Sequence, residues 1–575
     1  MSPRCRFFLS LLIVLAAILF SLRHAAAEEV PPAAVEQAAP AATEQPASDA
    51  QPEATAPEEA APTAHEQQAQ PASEQPIEPV VDQSPQPPER LIQLGICEVV
   101  ARAVSSNLDI AVERYVPDIR DAEVTSAKGE FDPLLSIDYS YSDSEVPQTS
   151  REGISTGAAV TKTKLNDLSG TLSGKLISGT EYELVFNRQY SQFIRKGVFD
   201  EGTGMFITQK DPWQYLLDTY INVTQPLLKD FGLTANLASI RIARVQRGVS
   251  LQDFRQGVIN TVADALRAYW NLVLALENLR VTENSLALAQ DLLRQNRIRL
   301  KVGVMSPLEV TEAEAGVAQR EEGVIISRRL VKDAEDNLKR LLNLPQNTQE
   351  WNITIVPVDK PITVRQEFDA TQQIQIALEN RPDYKSALMR VKSDAINVQF
   401  NRNQMLPSVD LIGQYEFQAV DTDVDTALDD IGSGKSPSWI AGLSAEYPIG
   451  NHLAKGNYRS AQLQETQAEV SAENVRLGII VAVRDAIRSV ETSLKSIEAS
   501  QKTVEFSQQS LEAEQKKLEV GISTSYDVLQ FMDQLIGAQR RELIAKVGYR
   551  TSLIDLAAAN GTLLDKYNIV INENF

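Results

Sequence analysis

The chain has 575 residues, 23% of them charged, and a formal net charge of −22. That acidic balance argues against nucleic acid as a partner. His24, His65 and His452 stand apart from one another and from Cys5 and Cys97, and no Gly-rich phosphate loop or catalytically spaced carboxylate pair stands out, so neither a metal, a cofactor nor an enzyme is expected. Residues 1–27 begin with Arg4 and Arg6, continue through an apolar run at 7–22 and end in alanines ahead of Glu28. This is the anatomy of a cleaved secretory signal, from which export is expected, and the apolar run is short for a membrane span; a single N-terminal anchor helix is the alternative. Residues 28–89 hold 13 of the 27 prolines and 13 carboxylates without a lysine or arginine. Such a segment cannot bury enough apolar surface to offset its ordering entropy and reads as a disordered linker.

Beyond the linker, patterns of period two alternate with helical ones. Pro133 ends a first helix, and in the strand that follows Leu135, Ile137, Tyr139 and Tyr141 alternate with Ser136, Asp138, Ser140 and Ser142. Strands at 168–176 and 180–190, joined by a tight turn at 177–179, and a last one running to Pro226 bring the first half to four. The connections at 143–166 and 192–210 read as long polar loops opposite short turns, the asymmetry of outer-membrane barrels. In the second half two strands lie between Pro407 and Pro448: Val409, Leu411, Gly413, Tyr415 and Phe417 share one side, and Trp439, Ala441, Leu443, Ala445 and Tyr447 share another. Tyr139, Tyr141, Trp213, Tyr215, Tyr220, Tyr415, Trp439 and Tyr447 are candidates for aromatic girdles at membrane interfaces, with packing in a core or loop as the alternative for each.

Each strand block is followed by a proline-free helical stretch, at 235–301 and 453–519, of 67 residues. At 1.5 Å per residue that is about 100 Å of helix. Leu272, Leu279, Leu286, Leu293 and Leu300 recur every seventh position in the first, and Val483, Val490, Ile497, Val504, Leu511 and Leu518 in the second. Both rows keep one register relative to the turns that follow, Gly303, Val304, Met305, Ser306 and Gly521, Ile522, Ser523, Thr524, which stand 218 residues apart. A whole supersecondary unit is therefore duplicated. Returning helices at 307–344 and 525–560 complete two hairpins. The expected organisation is a signal at 1–27, a linker at 28–89, a first repeat at 90–345, a connector at 346–370, a second repeat at 371–564 and a tail at 565–575. Heptads alone fit a coiled-coil surface stalk or adhesin, but that reading leaves the strand blocks unexplained.

This arrangement, with the two tip turns and the segment Arg381, Pro382, Asp383 followed by Ala395 and Leu406, Pro407, Ser408, Val409, resembles the TolC-like family of outer-membrane efflux proteins, the outer membrane factors. The resemblance implies a mainly α fold with a transmembrane β-barrel portion: a homotrimer whose protomers give strands to one shared barrel in outer-membrane lipid and long helices to a periplasmic α-barrel tunnel. It implies docking of the two tips to a periplasmic membrane-fusion adaptor, and through it to an inner-membrane efflux pump or ABC exporter of a Gram-negative bacterium. It also implies an acidic ring at the tunnel mouth. Asp527 fills the first such position, Gln530 stands where a second carboxylate is usual, Ser523 stands where some members carry arginine, and Glu309 and Glu312 are the equivalents in the first copy. Helix caps explain the turns as well, and an acidic helix start explains the carboxylates. Six strands from one chain cannot close around a useful lumen, and open edges are not tolerated in lipid, so three copies with about 18 strands are expected. The family usually has four strands per protomer. Either the barrel is wider here or the hairpin at 168–190 packs elsewhere, and the loop asymmetry favours the wider barrel.

Overall fold

The computed structural model describes residues 91–148, 158–344, 351 and 353–571. The signal and linker readings lie outside these residues. The described chain opens with β1 (Leu91–Leu94), α1 (Ile96–Ser106) and α2 (Leu108–Lys128). Asn107 starts α2: its side chain accepts from the Asp109 and Ile110 amides and donates to the Leu341 carbonyl at 2.8 Å, so one residue caps a helix and ties it to a distant one. There follow β2 (Leu134–Pro147), β3 (Val160–Lys175), β4 (Glu181–Asp200), β5 (Met205–Lys210), β6 (Gln214–Pro226) and the single turn α3 (Leu233–Asn236). The first hairpin is α4 (Ala238–Lys301) with α5 (Pro307–Leu341). The second half runs β7 (Thr354–Pro357), α6 (Ala370–Asn380), α7 (Pro382–Gln404), β8 (Ser408–Asp421), α8 (Val424–Gly432), β9 (Pro437–Glu446), the hairpin α9 (His452–Glu519) with α10 (Ser525–Ala559), and α11 (Leu563–Lys566).

Six strands form one unbroken antiparallel sheet in the order β2-β3-β4-β6-β8-β9, and β5 adds a seventh, short strand paired with the far end of β4. The hairpin of β3 and β4 therefore lies inside the sheet, paired to β2 on one side and β6 on the other. The register sorts the sheet into two faces. Leu135, Leu172, Leu184, Ile221, Tyr415 and Trp439 face one another in a row on the apolar face. The opposite face carries Asp138, Glu183, Asn222 and Glu416.

Two expectations fail in this sheet. The segments read as polar loops are largely strand, since β2 continues to Pro147, β3 begins at Val160 and β4 runs to Asp200. The extensions of β2 and β3 are mostly Thr, Lys, Ser, Asp and Asn on both faces, as suits strands with water on both sides, and in β4 and β5 the adjacent pairs Phe193 and Ile194, Val198 and Phe199, and Phe206 and Ile207 break period two, so no apolar alternation announces either segment. Tyr220 is the second correction. It pairs with Val185 and Glu416 on the polar face, whereas Tyr139, Tyr141, Tyr215, Tyr415 and Trp439 keep to the apolar one. Trp213 lies just outside the strands and stacks on Tyr190, with centroids 4.4 Å apart, and Tyr447 follows the end of β9.

The helices continue the order of the strands that feed them. Next to the sheet α2, α4, α7 and α9 are neighbours in that sequence, and farther away the two hairpins meet where α10 packs on α4 and α5. Midway, Leu94, Val100, Leu266, Tyr269, Leu338, Ile355 and Leu563 form one core, and Ile479, Val483, Ile487, Val490 and Tyr549 form another with Ala377 of α6. The parallel pair of β1 and β7 joins the first core, and the Tyr269 hydroxyl donates to Asp359 at 2.8 Å. The duplicated heptads are not used alike. In α9 all but Val504 of the row from Val483 to Leu518 is buried, but in α4 Leu279, Leu286, Leu293 and Leu300 are half-buried and Ser285, Ala289, Leu292 and Asn296 are buried instead. Among the described residues no helix is long and apolar enough to cross a membrane.

Candidate functional site

The two tip turns have one geometry. Each long helix ends where a glycine takes a left-handed backbone, Gly303 at φ 79° and Gly521 at φ 80°. Its amide donates to the carbonyl three residues back, Leu300 or Leu518, and the next amide reaches five back, to Arg299 or Lys517. No heavy atom would meet a Cβ at either glycine within 4 Å, so the requirement is set by the backbone alone. Alanine at Gly303 or Gly521 is expected to cost about 1 kcal/mol each, read as faster amide exchange confined to that tip.

The returning helices start differently. Ser306 accepts from the Glu309 amide at 3.4 Å ahead of Pro307, while Thr524 and Asp527 form a reciprocal capping box. Asp527 is thus engaged by its own cap: it accepts from the Thr524 hydroxyl at 2.6 Å and the Thr524 amide at 3.2 Å. Ser523 donates to Glu514 at 2.6 Å, and Glu514 also pairs with Lys517 at 2.9 Å. The Thr524 hydroxyl, then its amide, Ser523 and Lys517 hold the Asp527 carboxyl below its ordinary range, and Ser523 and Lys517 do the same for Glu514. A carboxyl depressed by folding stabilises above its unfolded pKa, about 4, and loses that contribution as pH falls through its folded value. Exchange protection of the second tip should therefore hold from pH 7 to about 4.5 and fall only in more acid solution, and Asp527→Asn should remove most of that acid step.

Not every candidate tip residue faces outward. Val304 and Ile522 are 71% and 74% exposed, but Met305 turns inward onto the cluster of Leu292, Leu518, Val528, Leu529 and Met532. Ser523 is held by its bond to Glu514. Sequence reading missed the other exposed apolar side chains, Val302 and Leu308 at the first tip and Val520 and Tyr526 at the second. Their spacing around the glycines matches, and six exposed apolar groups on two helix ends was a readable signal. Gln530 is exposed, and Glu309 and Glu312 are half-exposed.

Between the hairpins lies a polar clamp that the sequence did not announce. Arg320 of α5 is only 7% exposed and donates to Ser285 of α4 at 3.1 Å, to the Gly316 carbonyl at 2.9 Å, and to the Leu529 carbonyl and Asp533 of α10 at 3.4 and 2.8 Å. Nearer the tips, Asn296 donates to Ser525 at 2.7 Å and Arg299 to the Leu518 carbonyl at 3.2 Å. A sheet with one apolar face, two long hairpins and paired apolar tips now stand together.

The family model described as outer membrane efflux protein matches residues 208–344 and 373–562. The chain belongs to that family. It is 24% identical to the outer membrane efflux protein BepC of Brucella suis biovar 1 over 325 residues, 56% of this chain and 66% of that one. It is also 24% identical to toxin and drug export protein A of Aggregatibacter actinomycetemcomitans over 164 residues, 28% of this chain and 35% of that one. The match spans less than two thirds of either relative. The fold is similar to that of the Campylobacter jejuni CmeC outer membrane channel, at 17% identity, with 81% of this chain and 86% of that one covered and a TM-score of 0.57. The outer membrane protein VceC of Vibrio cholerae, at 15% identity, covers 81% and 96% with a TM-score of 0.59.

Proposed function

We propose that this outer membrane efflux protein is the passive exit duct of a tripartite efflux or type I secretion system, three copies closing one barrel through the outer membrane and one helical tunnel beneath it. The observation that carries the reading is that, among the described residues, the six-stranded order ends in β2 and β9, each with no strand on its outer side and with residues exposed almost throughout. A lipid-embedded sheet must close, and six strands are too few to enclose a lumen, so edges from other copies have to meet them. The helix layer supports the same division. Its flanking helices expose apolar stripes, Leu108, Val112, Tyr115 and Ile119 on α2 and Leu463, Val470, Leu477 and Val481 on α9. Such stripes on a helix surface suit burial against a neighbour at helical spacing.

Three copies give about 18 strands, a porin-like width, with the apolar face on lipid and the polar face on water. Tyr139, Tyr141, Tyr215, Tyr415 and Trp439 then stand on the lipid side. The tips, with Val302, Val304 and Leu308 beside Val520, Ile522 and Tyr526, supply an apolar surface for a periplasmic adaptor, which joins the duct to an inner-membrane pump or ABC exporter. Asp527 contributes one carboxylate per copy to the tunnel mouth. Reconstitution in a planar bilayer tests the duct: discrete, stepwise conductance is expected, and a well-folded trimer that conducts nothing would leave the stalk as the better reading.

A further inference from the structure

Helix α8, nine residues between β8 and β9, does not lie over the lumen side of the sheet. Ala427 and Ile431 pack against Leu217 and Ala419, with Tyr215 and Phe417 beside them, and all four sheet residues belong to the apolar face. The cover is local: Leu217 is 0% exposed, whereas Ile221, four residues along the same strand and on the same face, is 45% exposed. Val424, Ala427, Leu428 and Ile431 recur at helical spacing, while Asp425 and Asp429 fall on the opposite side. Leu428, 43% exposed, sits on the flank between them.

The level of α8 follows from the strand beneath it. From Val409 to Ala419 every second residue of β8 on this face is apolar, up to Asp421. Ten residues make about 34 Å of strand, which a tilt of about 40° reduces to about 26 Å, close to the height of the lipid-facing band of such barrels. α8 begins five residues farther on and folds back onto Phe417 and Ala419, the last apolar residues of that run, so it lies at the upper edge of the band, where hydrocarbon gives way to headgroups. Asp421, Asp423, Asp425 and Asp429 cannot enter hydrocarbon without a large penalty, and the exposed leucine gains by doing so.

We infer that α8 is an interfacial helix seated on the outer wall of the barrel at the outer lipid boundary, with Leu428 against acyl chains and Asp425 and Asp429 in headgroup water. The inference rests on the barrel proposed above. Lipid is the occupant because the apolar face runs without a break to the foot of α8, and because the edges open to another copy are β2 and β9, whereas α8 packs over β6 and β8.

Single cysteines at Leu428, Asp425 and Leu443 in a background carrying both Cys5→Ser and Cys97→Ser, labelled with bimane in proteoliposomes, test it. The quenchers are phospholipids brominated on their acyl chains and, from the water, iodide. Labels at 428 and 443 should be quenched several-fold more by brominated lipid than by iodide, and the label at 425 should show the reverse. A label at 428 as open to iodide as that at 425 overturns the inference. So does protection at 428 from both quenchers, which means cover by protein. If the label at 443, on the apolar face opposite Leu411 and away from α8, also reports water, the barrel reading itself fails and takes this one with it.

Discussion

Alanine at Arg320 is expected to loosen both hairpins at once, lowering the free energy of local opening by about 3 kcal/mol. The guanidinium bonds two carbonyls, a hydroxyl and a carboxylate drawn from three helices, and it is buried. Its removal takes the donor from the buried Ser285 hydroxyl and from the Gly316 and Leu529 carbonyls and leaves a hole at a point where α5 and α10 approach closely: a Cβ on Gly316 would stand 3.0 Å from the Leu529 methyls. Asp533 contributes much less, because it is 57% exposed and water replaces it as a partner for Arg320. Asp533→Ala should therefore cost about 1 kcal/mol or less. Hydrogen exchange separates the two. Arg320→Ala should speed exchange about 100-fold together around Ser285, Gly316 and Leu529, and Asp533→Ala only a few-fold. Equal effects would mean that the ion pair, not the buried hydrogen-bond set, joins the hairpins.

Ile221→Arg and Tyr220→Arg, adjacent in the chain, should behave oppositely. Ile221 sits between Leu184 and Tyr415 on the apolar face, and Tyr220 between Val185 and Glu416 on the polar one. An arginine in the lipid-facing band costs about 2–4 kcal/mol near its middle. Three copies multiply that cost, so Ile221→Arg should abolish or severely reduce refolding into bilayers. At 220 an arginine enters water beside Glu416 and Asp218, and an exposed ion pair changes stability by about 1 kcal/mol or less. Refolding yield into lipid vesicles, read by protease resistance, reports both. The reverse order would turn the sheet inside out.

How far the sequence foretold this molecule depends on how much of each signal is local. The long helices and their ends were legible because glycine and proline act within one turn: α5 starts at Pro307, and the chain reverses at Gly303 and Gly521. Strands were legible where one face is apolar, as in β8, and invisible where both are polar, as beyond Ser142 in β2. The side of Tyr220 could have been read, since Asp218 and Asn222 flank it at period two. Helix α8 had its stripe and its cap, Asp423 accepting from Thr426, but nine residues between strands are too short for periodicity to decide. The equal heptads of α4 and α9 misled in another way. Half-buried leucines in α4 show that a repeated pattern need not meet a repeated neighbour. Arg320 was out of reach altogether, because its partners lie 35 and 213 residues away.

The proposed duct requires one closed barrel shared by three chains. Electron cryomicroscopy of the full-length protein in lipid nanodiscs tests this most directly. The prediction is a threefold particle whose membrane ring contains 18 long strands, six consecutive ones from each copy, with β9 of one copy paired to β2 of the next. A ring of 12 strands with β3 and β4 folded elsewhere, or a single copy with both edges free, would contradict it.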